Sequence, residues 1–114
     1  MNGEFSVLAL KALDSLSLRA EATAHNIANA GTPGYRPVSV SFEKALAEAA
    51  TRGGEALSAF TPHVEQSRPP LGSDTLRLDL ELQTATATTG RYAAILEVLD
   101  RQVQLQALAL TGGK

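Results

Sequence analysis

Asn26-Ile27-Ala28-Asn29-Ala30-Gly31-Thr32-Pro33-Gly34-Tyr35 closes a long apolar helical pattern with a tight turn. Within it, Thr32-Pro33-Gly34-Tyr35 has the order of a type II turn. Proline presets φ at the second position, and the third requires φ > 0, which glycine adopts without strain. Asn29 and Gly31 both tolerate a left-handed helix end, so a C-cap and the turn are expected almost back to back. A Pro-Gly pair by itself marks no more than an ordinary helix stop. The information lies in the whole run.

Upstream of the turn, the spacing predicts a helix from about Ser6 to Asn29. Ala9, Leu13, Leu16, Ala20, Ala24 and Ile27 recur at intervals of three and four and share one face. Leu8 and Leu10 widen that face, while Lys11, Asp14, Arg19 and Glu21 form the solvated remainder. A helix of roughly 24 residues reaches about 36 Å. It cannot bury its own stripe, so a partner helix is required.

Downstream, Pro37 disfavours helix at Arg36, and Val38-Ser39-Val40 alternates as an extended piece. Ser41 is the expected N-cap of a short helix over about 41–51. Phe42, Ala45, Leu46 and Ala49 fall on one side of it, and Gly53-Gly54 ends it. Residues 52–75 are rich in Gly, Pro, Ser and charge, with Pro69-Pro70 and Gly72 near the end, and read as an irregular flexible arm anchored at Phe60 and Val64. Leu76, Leu78, Leu80 and Leu82 then alternate with Arg77, Asp79, Glu81 and Gln83, which on pattern alone is a strand. Leucine is not a strong strand former, and only Val38-Ser39-Val40 is available to pair with it.

Beyond a Thr/Ala tract of low helix propensity at residues 84–89, Tyr92, Leu96, Leu99, Val103, Gln106 and Leu110 follow a four-three repeat, with Ile95 and Ala107 beside it. That is a coiled-coil-like seam, and Gly112-Gly113 stops it.

Composition narrows the function. A chain of 114 residues is at most one small domain, and its net charge of −2 with scattered basic residues gives no footprint for nucleic acid. With no cysteine and two histidines, His25 and His63, no zinc set can be completed. There is no Gly-x-Ser-x-Gly elbow and no glycine-rich phosphate loop. Neither catalytic nor cofactor-binding residues are expected, and no metal site. No apolar run approaches the ~20 residues that span a bilayer. The N-terminus lacks the charge pattern of a secretory peptide.

The run Asn-Ile-Ala-Asn-x-x-Thr-Pro-Gly-Tyr after an amphipathic N-terminal helix resembles the signature of bacterial flagellar rod and hook proteins. With Arg36 following, it looks most like the proximal-rod type, the FlgB family. Phe42 and Leu46 match the family's Phe-x-x-x-Leu pair, although Ser41 stands where an acidic residue is often found. Leu78-Asp79-Leu80-Glu81 matches the hydrophobic-Asp-hydrophobic-Glu segment that precedes the C-terminal helix. The resemblance therefore implies an extended lead-in at about Leu76–Leu78 and helix from about Asp79 or Leu80. Absence of the Gln-Arg-Ala-Tyr segment of distal-rod and hook relatives agrees with the proximal type.

Together these elements make a mainly all-α chain. An antiparallel, coiled-coil-like pair of long terminal helices is expected, with a short middle helix, an irregular arm and at most a minor β element. Residues 1–35 hold the first helix and turn, 36–77 the variable middle and 78–114 the second helix, the two terminal helices forming one domain. Leu13, Leu16, Ala20, Ala24 and Ile27 on one helix, and Tyr92, Leu96, Leu99, Val103 and Leu110 on the other, are the expected assembly seams.

The resemblance implies a structural subunit of the proximal rod of the flagellar basal body, serving motility. Its implied partners are copies of itself, other rod proteins, the adaptor at the rod base, the membrane ring and the export apparatus. The implied location is the periplasm-spanning rod, reached by type III export without a cleaved signal. The competing reading, from a different class, is a free-standing helical adaptor or another exported assembly protein that docks one partner helix.

Overall fold

A computed structural model describes residues 3–67 and 74–112. The elements are helix α1 (Gly3–Ala28), strand β1 (Val38–Ser41), helix α2 (Glu43–Arg52), helix α3 (Gly54–Ala59), strand β2 (His63–Gln66) and helix α4 (Asp74–Gly112). The 39 residues of α4 give it a length of about 58 Å, which sets the long dimension of a 65 × 26 × 15 Å body. Helices α1 and α4 run antiparallel: Arg77 reaches the C-terminal end of α1, while Ile95 lies further back along it, lining a cleft with Leu16. The fold is mainly all-α, with one two-stranded antiparallel sheet.

The apolar core does not lie between the long helices. Leu16, Phe42, Leu46, Ala49 and Leu57 form it, with Val7, Leu8, Ala12, Ala50, Ala56 and Phe60 packed around them. These side chains come from α1, the β1–α2 junction, α2 and α3, and the end of α3. Among the described residues of α4, only Ile95 joins. Phe42, Leu46 and Ala49 are buried on the side the spacing predicted, while Ala45 is exposed. Each large apolar side chain buried here contributes about 2 kcal/mol.

Three local expectations are corrected. Ser41 does not cap α2: it pairs with His63 in the sheet, and the N-cap is Phe42 with no side-chain cap bond. The strand extends one residue further than the alternation suggested, because a partner is present. That partner lies in the segment read as an irregular arm. Residues 54–59 form α3 and 63–66 form β2, in register Val38↔Gln66, Ser39↔Glu65, Val40↔Val64 and Ser41↔His63. Gly53, at φ 109, lets one short helix stop and the next begin. All four residues of β2 are exposed, so the strand carries no in-out hydrophobic code. Third, α4 has no extended lead-in; it is helical from Asp74. Leu80 and Leu82 are both exposed, so their alternation with polar residues marks no buried sheet face.

The Thr/Ala tract also stays helical. The hydroxyls of Thr84, Thr86 and Thr88 donate to the carbonyls of Leu80, Leu82 and Thr84, each four residues back. Pro69, Pro70 and Gly72 of the expected arm, and Gly113 of the expected stop, lie outside the described residues.

Candidate functional site

Asn26 sits on α1 with 2% of its surface exposed, and its amide uses every hydrogen-bonding position it has. Nδ2 donates to the Val38 carbonyl at 2.8 Å and to Glu81 Oε1 at 3.0 Å. Oδ1 accepts from the Tyr35 hydroxyl at 2.8 Å and from the Val38 N–H at 2.9 Å. Two donors and two lone pairs are the full inventory of an asparagine side chain. One residue thus ties together α1, the end of the turn, the first residue of β1, and α4. Its two bonds to Val38 imitate a strand partner and satisfy backbone groups that the sheet leaves open there.

The rest of the motif shapes the chain between Asn26 and Tyr35. Ile27 is half-buried and Ala28 exposed. Asn29 does not take up a left-handed conformation, and neither does Gly31; the positive-φ residues among those described are Gly34 and Gly53. The helix instead ends in short turns, Ala30 N–H to the Ile27 carbonyl and Thr32 N–H to the Asn29 carbonyl. The Asn29 side chain donates back to the His25 carbonyl and accepts from the Thr32 hydroxyl. The following turn closes with Tyr35 N–H on the Thr32 carbonyl at 3.2 Å, with Gly34 at φ 77. Pro33 and Gly34 are exposed, and open space surrounds the position where a Gly34 Cβ would stand, so their role is to guide the backbone.

Arg77, read from the sequence as one polar member of an alternating stretch, completes this junction from α4. Its Nη2 donates to the carbonyls of Asn29 and Ala30. The guanidinium lies over the Tyr35 ring, 5.8 Å from its centre. A cation placed on the carbonyls just past α1 adds to the turn bond that the Asn29 carbonyl already accepts and meets the negative end of the helix dipole.

A second cross-link lies two turns back along α1. Arg19, expected in the solvated remainder, has only 13% of its side chain exposed. Nε and Nη2 donate to the Val40 carbonyl, Nη1 and Nη2 grip the Glu43 carboxylate at 2.7 and 2.8 Å, and the group lies over Phe42. Arg91 of α4 donates to the same carboxylate at 2.9 Å. The hydrogen bond from Arg19 lowers the Glu43 pKa to about 2, against an opposing effect of partial burial. Glu43 thereby joins α1, α2 and α4.

These contacts explain where the expected seam residues lie. Leu13 and Leu16 are buried, but Ala20 and Ala24 are exposed; Thr23 and Asn26 take the buried positions instead. The buried stripe of α1 turns away from the apolar pattern because Arg19, Thr23 and Asn26 face β1 and α4. On α4 the partly or fully covered positions, among those whose burial is described, are Arg77, Leu78, Glu81, Ala85, Thr88, Ile95, Leu99 and Gln102. Of the expected seam, Leu99 is half-buried, whereas Tyr92, Leu96, Val103 and Leu110 are exposed, Leu110 to 83%. Leu16 and Ala20 meet Tyr92 and Leu96 along a groove of about 290 Å³ on the flank of the helix pair. The two apolar seams therefore converge beside the interhelical contact rather than within it.

A curated relative, the flagellar basal body rod protein FlgB of Aeromonas hydrophila, is 39% identical over 116 aligned positions, which take in 89% of this chain and 88% of the relative. The chain belongs to the FlgB family of flagellar basal body rod proteins. No family model matches it. A span of 89% necessarily includes the Asn26–Tyr35 stretch and the part of α4 that meets it. In this FlgB-family chain the Asn26–Tyr35 stretch forms part of the joint between the two long helices. The periodicity could not reveal Asn26, Arg77 or the Arg19–Glu43–Arg91 cluster as that joint. The available signal was a set of polar residues at positions 19, 23 and 26, in helical phase with Leu16. Among the described residues no cluster of His, Cys, Asp or Glu is placed to hold a metal ion, and no helix is long and apolar enough to cross a membrane.

Proposed function

We propose that this chain is a structural subunit of the proximal rod of the bacterial flagellar basal body, working by assembly and not by catalysis. The observation that carries the reading is the near full-length similarity to the FlgB of Aeromonas hydrophila. The long uncovered apolar faces of α4 support it, since a subunit of an assembly keeps for its neighbours the surface that a free-standing domain would bury. The polar joint around Asn26 has the complementary task of holding the two long helices in one register, so that every copy presents the same surfaces.

Its partners in this reading are further copies, other rod proteins, the adaptor at the rod base and the membrane ring. It reaches the rod through the flagellar export apparatus without a cleaved signal. The test is recovery of a tagged copy in purified basal bodies, together with loss of swimming on deletion and its return on complementation. A tagged, functional copy found only outside basal bodies would exclude the assignment.

A further inference from the structure

We infer that the uncharged end of α4 from one copy of this chain lies in the α1–α4 flank groove of the next copy, in a head-to-tail contact. The inference rests on the rod-subunit reading and names the occupant of one of its surfaces. From Gln102 to Gly113 the sequence has no charged residue. Within that stretch Val103, Leu105, Leu108 and Leu110 are 54–83% exposed. Val103 and Leu110 fall on one side of the helix, and Leu105 and Leu108 on roughly the opposite side, at ~100° per residue. A helix apolar on two opposed sides is built to be surrounded.

The groove matches it. Leu16, Ala20, Thr88, Tyr92, Ala93 and Leu96 line it, and none of them carries a charge at neutral pH. Four other clefts along the described part of the molecule include Arg19, Glu43, Arg91 or Glu81, or else Glu21 and His25, or Asp79. Seating an uncharged helix against any of those would take charged groups out of water with nothing on the helix to compensate them, which is costly. The small side chains of Ala20 and Ala93 allow a third helix to approach within the usual ~8–10 Å axis separation.

The groove cannot be filled from within its own molecule. Tyr92 and Leu96 are part of the same continuous helix that carries the free end, so that end cannot fold back onto them. Donor and acceptor surfaces are different patches of one chain. Contacts of this type propagate, and they give an open helical array unless the rotation closes a ring.

The chain lacks cysteine, which makes the contact directly testable. Ala20→Cys marks the groove. Ala107→Cys and Ala109→Cys mark opposed sides of the free end, so one of them meets the groove whichever side is seated. Mild oxidation of mixed single variants is expected to join Ala20→Cys copies to copies bearing one of the two end variants. The corresponding double variant is expected to give a ladder of dimer, trimer and higher species. Only symmetric dimers, or no cross-linking up to millimolar protein with helical circular dichroism intact, would overturn the contact. Independently, Val103→Asp and Leu108→Asp place a charge on the two opposed sides; at least one of them should weaken self-association in sedimentation equilibrium tenfold or more without changing helicity, and unchanged association of both would also overturn it. Failure of both tests with the tagged chain still in basal bodies removes this contact and leaves the rod assignment standing. A ladder from a chain absent from basal bodies does the reverse.

Discussion

The Tyr35 hydroxyl donates to Asn26 Oδ1 at 2.8 Å across nine residues of chain, so the first and last residues of the Asn26–Tyr35 stretch close on each other. The closure turns a helix end and a tight turn into one rigid corner. Asn26 then passes the constraint on to Val38 and, 55 residues away in sequence, to Glu81.

Asn26→Ala removes four hydrogen bonds and leaves the part-buried Val38 N–H without its partner. The expected loss is roughly 2–4 kcal/mol in urea unfolding, since a buried group left without a partner costs about 1–3 kcal/mol. Tyr35→Phe removes one bond and keeps the ring under Arg77, so about 1 kcal/mol is expected. Equal losses for the two variants would show that Asn26 is not the centre of the network.

Gly34 has φ 77 and open space where a Cβ would stand. The cost of substituting it is therefore conformational, with no steric part. Gly34→Val should destabilise by about 1–2 kcal/mol, and Gly34→Asn by distinctly less, because asparagine tolerates the left-handed region. Gly31→Ala, in equally open space at an ordinary φ, should be neutral or slightly stabilising. Thermal unfolding of the three variants checks the ranking.

Glu43 provides a pH signature. Its folded pKa, about 2, lies below the ordinary value of 4.5. A depressed carboxylate stabilises the fold fully above its unfolded pKa and loses that contribution as pH falls through the folded one. Half of the side chain is exposed, so solvent screening holds the contribution to about 1 kcal/mol. Wild type should exceed Glu43→Gln by that amount at pH 7, and the gap should shrink between pH 4.5 and pH 2. A gap that stays constant across this range would mean that charge is not what Glu43 supplies.

Position along the seams separates folding from assembly. Leu16 is 1% exposed, so Leu16→Asp buries a charge without a partner and should unfold the subunit, at a cost of several kcal/mol. Val103 is 56% exposed. Val103→Asp should therefore leave circular dichroism and urea midpoint unchanged while abolishing swimming and recovery in basal bodies. Charge changes at the exposed Glu55 and Gln66 should be tolerated in both assays. Normal motility with Val103→Asp at full protein level would exclude the free end of α4 as an assembly surface.

The helix stop, the turn and the long C-terminal helix were legible in the residues themselves. Proline at 33, glycine at 34 and three-four spacing act over a few neighbouring positions, where local sterics decide. The mainly helical architecture and the buried side of α2 followed from the same short-range rules. Tertiary structure alone decided which side of each long helix is covered. The apolar pattern placed Ala20 and Ala24 inward. Arg19 and Asn26 rotate that side toward β1 and α4 because their hydrogen bonds are made there, and Thr23, between them on the same side, is buried with it. Strand β2 was equally invisible, being four exposed residues whose order comes from pairing with β1. Contacts such as Arg91 with Glu43, 48 residues apart, leave no periodic trace in a sequence. A hydrogen bond depends on direction and partner in space, whereas hydrophobic periodicity records only how often a side of a helix is apolar.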